Sequence, residues 1–210
     1  EDSFPAHGFA RTKFWQVKKT ASRDDRATGI TLHLLQDDST HTQWPYPTEL
    51  EMKITIGKTL GIDLVTRNTG DTAITIGDAL HTYFAIGDVR QISIDGLDGC
   101  SYIDKVGEET QRTQSGSVTF DQETDRIYLD NADDCVINDP GMKRRIRISK
   151  QASRSTVVWN PWIEKSAKMG DLGKDGYLGM VCVESANADE DLVQLAAGES
   201  HSLWVRYSLE

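Results

Sequence analysis

The segment LEMKITIGKTLGIDL, residues 50–64, decides the fold class. Leu50, Met52, Ile54 and Ile56 alternate with Glu51, Lys53, Thr55 and Gly57, and the alternation resumes at Leu60, Ile62 and Leu64. Successive side chains of a strand point to opposite faces, so such a segment buries one face and wets the other. Gly57-Lys58 separates the two runs. The pattern predicts a β-hairpin closed by a two-residue type II′ turn with glycine at its first central position.

Working outward, the same period recurs. Strands are predicted at 31–35, 72–76, 83–86, 89–94, 117–120, 126–129, 145–149, 156–159, 177–184 and 201–207. Turn signals separate them: Asn68-Thr69-Gly70-Asp71, Asp95-Gly96, Asp98-Gly99 and Asp139-Pro140-Gly141. Residues 162–169 alone read as a helix, with Pro161 as its first residue and Gly170 near its end. Many short strands, no fixed-period repeat and no low-complexity linker predict one all-β sandwich domain over residues 1–210.

The 210 residues carry 33 acidic and 23 basic side chains, a formal charge of −10. That balance argues against nucleic acid or an anionic membrane as partner, because phosphate contacts need clustered Lys and Arg. The cluster Lys143-Arg144-Arg145 with Arg147 alternates with Ile146 and Ile148 and reads as the wet face of a strand. Cys100, Cys135 and Cys182 are odd in number, far apart and without a CxxC pair. Reduced thiols in a cytoplasmic setting are expected. No apolar run approaches the ~18–20 residues of a membrane span, and no signal peptide is visible.

The five histidines, His7, His33, His41, His81 and His201, form neither HxH nor HExxH, so no metal site is expected. GxSxG, P-loop and GxGxxG patterns are absent, which removes the main support for serine-hydrolase and nucleotide-fold readings. His33 reads as a strand residue, His41 as part of a polar loop and His201 as the start of the last strand. His81 heads the aromatic run Tyr83-Phe84-Ala85-Ile86. It is either a hydrogen-bonded core imidazole or an acid at the mouth of a pocket. Glu184 ends the apolar run Met180-Val181-Cys182-Val183, where a carboxylate needs a partner or water. Asp125 precedes a predicted strand and reads, from composition, as a turn-capping residue. Trp44-Pro45-Tyr46-Pro47 is either a sugar-stacking platform or a rigid plug.

Together these stretches resemble one family. FPAHGFAR with FW (4–15), LHTYFAIGDVRQISIDGL (80–97), YIDK (102–105), ETDRIY (123–128), VVWNPW (157–162) and DGYLGMVCVESANA (175–188) occur in the order found in hexose-6-phosphate mutarotases. These enzymes, also called glucose-6-phosphate 1-epimerases, form part of the aldose 1-epimerase superfamily. The resemblance implies an antiparallel β-supersandwich of the galactose-mutarotase type and a cofactor-free reaction on a hexose 6-phosphate. A monomer without a bound metal is expected. By the family's motifs, His81 is the general acid and Glu184 the general base. Asp125 holds sugar hydroxyls, Arg11 contacts the phosphate side and His7 assists there. Family members carry a portion before HGFAR, with a stretch like RGG…WPWFG, that this sequence does not include. It is either an excerpt of a longer protein or a truncated form with a sheet incomplete at its N-terminal side.

Anomer interconversion needs a base at the anomeric hydroxyl and an acid at the ring oxygen; neither redox cofactor nor metal is required. A carboxylate with an ordinary pKa of ~4.3 and an imidazole near ~6.5 supply them. Two rivals stand beside this reading. A non-catalytic carbohydrate-binding sandwich, or an inactive truncated relative, would need neither proton donor nor base. A glycosidase using Asp125 and Glu184 would leave His81 unexplained.

Overall fold

The structure, a computed structural model, describes residues 7–23 and 26–210. Phe4, Pro5 and Ala6 of the first family stretch lie outside the described residues. Two compact units make up the chain: Glu1–Ile76 with Val193–Trp204, and Gly77–Leu192 with Val205–Glu210.

In the first unit the predicted hairpin stands at the centre of an antiparallel meander. Its strands are β1 (Trp15–Ser22), β2 (Thr28–Leu34), β3 (Thr48–Ile56) and β4 (Leu60–Asn68). The turn departs from expectation. Ile56 pairs with Leu60, so the connection has three residues, and Gly57 is not among the glycines with positive φ. The reason lies in the alternation itself. A two-residue loop would pair Ile56 with Thr59 and set the apolar positions of the two strands on opposite faces. The three-residue loop keeps Met52 opposite Leu64 and Ile54 opposite Ile62.

β1 escaped the sequence reading because a register shift between Val17 and Lys19 breaks its alternation. The polar loop assigned to His41 is instead a short helix, α1 (Asp38–Gln43). Asp37 caps it by accepting from the Thr40 backbone N–H at 2.8 Å. Its six residues are polar and bury only Thr40, so no apolar period announces it. The next strand, β5 (Ile74–Ile76), begins two residues later than predicted. Ile74 and Ile76 pack with Leu195 and Trp44, and the Trp44 indole donates to Thr48 Oγ1 at 3.0 Å. Trp44 is therefore the plug of its loop rather than a stacking platform.

The second unit holds β6 (Ala79–Leu80), β7 (Tyr83–Ala85), β8 (Ser93–Asp95), β9 (Ser101–Asp104), β10 (Thr110–Thr113) and β11 (Thr124–Tyr128). β12 (Cys135–Asp139), β13 (Arg144–Gln151), β14 (Ser155–Asn160), helix α2 (Trp162–Lys168) and β15 (Met180–Ala186) follow. The chain then returns to the first unit through β16 (Val193–Leu195), which pairs with β5. Its last strand is β17 (Ser200–Leu209), with Ser200–Trp204 in the first unit and the remainder in the second.

Within the second unit, β10, β9, β11, β14 and β15 form one antiparallel sheet in that order, and both β6 and β7 pair with β15. β8, β12 and β13 are neighbours in another. The inner faces bury Tyr128, Val158, Val181 and Val183 from the first sheet and Ile94, Ile137, Ile146 and Ile148 from the second. Lys150 on β13 reaches across to Thr156 Oγ1 on β14 at 2.7 Å. Arg145 and Arg147 lie on the outer face as expected, where Arg147 meets Glu210 at 2.5 Å and Asp134 at 3.3 Å.

The predicted strand at 89–94 shortens to β8, because Gln91 donates to the Asp88 carbonyl in a turn. The strand at 117–120 reduces to one bridge between Val118 and Ile94. β10 went unread because all four of its residues are exposed. At the Asp95-Gly96 turn the glycine is obligatory: its φ is +99°, and a Cβ there would stand 2.1 Å from the Asp134 carbonyl oxygen.

Candidate active site

The site is built by cross-strand register in the second unit. Directly opposed residues of antiparallel strands share a face. Asp125 on β11 opposes Trp159 on β14, Trp159 opposes Cys182 on β15, and Cys182 opposes Tyr83 on β7. One step along, Ile127 opposes Val157, and Val157 opposes Glu184. These two rows occupy the sheet face opposite the Tyr128–Val158–Val181 core. Glu184 therefore stands inside β15 rather than at its end, and Asp125 is a strand residue rather than a turn cap.

His81 lies in the two-residue link between β6 and β7, which both pair with β15. The link delivers its imidazole to the same face: Nδ1 is 3.3 Å from Glu184 Oε1. Tyr83 stacks on the imidazole with centroids 5.0 Å apart and planes at 7°, and Trp159 meets both rings edge-on at 6.1 and 6.0 Å. Tyr83 is half exposed, while Trp159 is almost fully buried and packs with Met180 and Cys182 under Met169 and Leu172. At its edge, Lys165 on α2 pairs with Glu123 Oε1 at 2.9 Å, its Nζ 5.9 Å from the Trp159 ring centroid.

Electrostatics separates Glu184 from an ordinary carboxylate. Burial, reinforced by the negative charge of Asp125, pushes its pKa up to about 8. Burial also drives the Cys182 thiol far above its usual value, with the Glu184 charge adding to it. The unperturbed carboxylate expected at neutral pH is thus replaced by a group that is mostly protonated there.

The structure brings His81 and Glu184 into contact and places Asp125 on the same sheet face, two strands away. Arg11 and His7 belong to the first unit. Arg11 sits, exposed, in a single 3-10 turn (Ala10–Thr12) that the Trp15 indole anchors by donating to the Ala10 carbonyl at 3.0 Å. His7 is exposed with φ +64°. The sequence reading missed Tyr83, Trp159, Cys182 and Lys165 as neighbours of the site. Cys182 and Glu184, two apart in a strand, necessarily share a face, and that signal was available; the pairing of Trp159 with Cys182 was not.

Asn160 holds the end of β14 next to Trp159. Wholly buried, it donates to the carbonyls of Tyr177 and Met180 at 2.9 Å each and accepts from the Trp162 N–H at 2.9 Å. Asn160→Ala strands these groups and is expected to cost about 3 kcal/mol, roughly 6–12 °C in Tm for a chain of this size. Calorimetry that finds less than a 2 °C change would show the pocket repaired by water.

Three comparisons bear on this geometry. The sequence pattern of the family described as "Aldose 1-epimerase" matches residues 1–208. A curated protein of Escherichia coli, named "Putative glucose-6-phosphate 1-epimerase", is 38% identical over 191 residues, which are 90% of this chain and 63% of that protein. A Salmonella typhimurium protein of the same name is 35% identical over 189 residues, 90% of this chain and 62% of the other. The chain thus spans somewhat less than two thirds of the length of the curated relatives it matches. Among solved structures, a "putative mutarotase" from Salmonella typhimurium superposes with a TM-score of 0.90 at 30% identity, covering 100% of this chain and 69% of that one. The likeness establishes the all-β, galactose-mutarotase-like sandwich fold. Among the described residues, no helix is long and apolar enough to cross a membrane.

Proposed function

Since the chain belongs to the aldose 1-epimerase family, we propose that it interconverts the α and β anomers of a hexose 6-phosphate, with glucose 6-phosphate the first candidate. The observation that carries the reading is the contact of His81 Nδ1 with Glu184 Oε1 at 3.3 Å on the sheet face that also carries Asp125. In a pyranose, the anomeric hydroxyl oxygen and the ring oxygen are bonded to the same carbon. A base for one and an acid for the other must therefore stand side by side, each within hydrogen-bonding reach of ~2.6–3.2 Å.

Glu184 takes the proton of the anomeric hydroxyl while His81 gives one to the ring oxygen. The bond from C1 to the ring oxygen breaks and the C1 carbonyl forms. The open aldehyde turns about C1–C2, and the reverse transfers close the ring on its other face. Asp125 accepts hydrogen bonds from sugar hydroxyls and, by raising the Glu184 pKa, strengthens it as a base. Arg11 is assigned to the phosphate, for which its planar fork of donors is suited, and His7 to the same end of the substrate. The names of the curated relatives favour the phosphorylated hexose.

The test is a coupled assay following anomerisation of glucose 6-phosphate, glucose and galactose. Acceleration of the phosphorylated sugar above the other two is expected. Sugar binding without acceleration would favour the non-catalytic carbohydrate-binding reading. For the phosphate assignment, Arg11→Ala is expected to lower kcat/KM for glucose 6-phosphate by roughly 10–150-fold, the loss of one charge-assisted partner. The effect on glucose should be much smaller. Equal losses on both sugars would mean that Arg11 supports its turn rather than reading the phosphate.

A further inference from the structure

The mechanism uses His81 and Glu184 and leaves out Cys182, which packs fully buried with Trp159 and Met180. Cys182 lies in the same cross-strand row as Trp159 and Tyr83 and two residues from Glu184 on the same face. One ligand atom from each of His81, Cys182 and Glu184 can be chosen so that all three lie within 4.8 Å of one another. We propose that these three side chains form a zinc-binding site, and that a bound Zn2+ blocks the sugar pocket.

The donor set fits the ion. An imidazole nitrogen, a sulfur and a carboxylate oxygen make up a mixed N, S, O set of the kind zinc accepts. Ligands at ~2.0–2.3 Å around a tetrahedral ion stand roughly 3.3–3.7 Å apart. The His81–Glu184 separation of 3.3 Å already meets that spacing. The remaining separations, up to 4.8 Å, would close by side-chain rotation, with the ligands hanging from β15 and from the link that β6 and β7 hold against it. A thiolate and a carboxylate balance the two positive charges of the ion, and the imidazole binds neutral. Binding releases the thiol proton, because a coordinating thiol is deprotonated. Magnesium and calcium are poor alternatives, since they require six or more oxygen ligands.

Three protein ligands leave the fourth position of a tetrahedral ion to a water or a hydroxyl. A zinc held there removes both proton-transfer groups from use. The inference goes beyond the proposed reaction: zinc binding does not require it, because binding is measured without turnover, and only the blocking of the pocket rests on that reading.

The experiment titrates the full chain with Zn2+ by calorimetry and with Co2+ by absorption, with Mg2+ as the control. One equivalent of zinc is expected to bind, magnesium none, and cobalt to give the near-ultraviolet thiolate-to-metal charge-transfer band. Cys182→Ser should abolish the band and weaken zinc about 100-fold, the share of one ligand in a tight site. Cys182→Ala provides the same test should the serine hydroxyl be poorly accommodated, and either variant keeps His81 and Glu184. Absence of the charge-transfer band at saturating cobalt in the unmodified chain overturns the proposal without reference to any variant. Zinc affinity unchanged in the Cys182 variants overturns it as well, and places the ion elsewhere.

Discussion

Glu184→Gln is expected to lower turnover by about 10²–10⁴-fold, the contribution of a positioned proton acceptor, while leaving sugar binding largely intact. Glutamine keeps the shape and hydrogen-bonding capacity of the side chain but cannot take the proton. Two further readouts separate this loss from simple damage. In the unmodified chain the active form keeps one proton between the pair, on His81 with Glu184 ionised, so kcat/KM should follow a bell with one limb near 8 set by the buried carboxyl. That limb should vanish in the variant. Stability also depends on that carboxyl. A carboxyl whose folded pKa lies above its unfolded value contributes stability that is complete below about 4.5, the ordinary value, and is lost as pH rises through about 8. The glutamine variant loses nothing across that window. Its Tm should therefore match the parent near pH 4 and exceed it at pH 9, by roughly 2–4 °C for each kcal/mol involved. Unchanged turnover would assign the base to another group. A variant less stable than its parent at pH 9 would show that the carboxylate is held there by partners rather than strained by burial.

The hydrophobic alternation at 50–64 was enough for the all-β class, because a strand face is a local property of its own residues. It also contained the correct turn length, since only an odd loop keeps Ile56 and Leu60 on one face. Elements without an apolar period were illegible. α1 buries one threonine, β10 buries nothing, and β1 is interrupted by its register shift. His81 and Glu184 were legible as candidates through the motifs that contain them, and Asp125 likewise. Their relation was not. Residues 103 positions apart meet only because β6 and β7 both pair with β15, and register between distant strands is set by tertiary packing. The same holds for Cys182, which no ligand spacing in the sequence connects to His81. The raised pKa of Glu184 is a further property of assembly: it depends on burial within a completed sheet and on Asp125 two strands away.

The 3.3 Å contact carries a second large expectation, that the two groups fail together. His81→Asn places an amide near the position of the imidazole Nδ1 but can neither gain nor donate a proton at neutral pH. By itself it should lower turnover by about 10²–10⁴-fold. If the two losses were independent, the double variant His81→Asn with Glu184→Gln would lose the product, about 10⁴–10⁸-fold. In the proposed step, however, ring opening needs the proton removed from one oxygen and delivered to its neighbour in the same event. Once either transfer fails, the remaining partner has little left to catalyse, and residues that act as a unit are strongly non-additive. The double variant is therefore expected to be no more than about tenfold slower than the worse single variant. Rates for all four proteins, taken at one pH with Tm confirming that each is folded, give the coupling directly. A double variant that loses the full product would assign His81 and Glu184 to separate steps, and their contact would then serve only to position the two side chains.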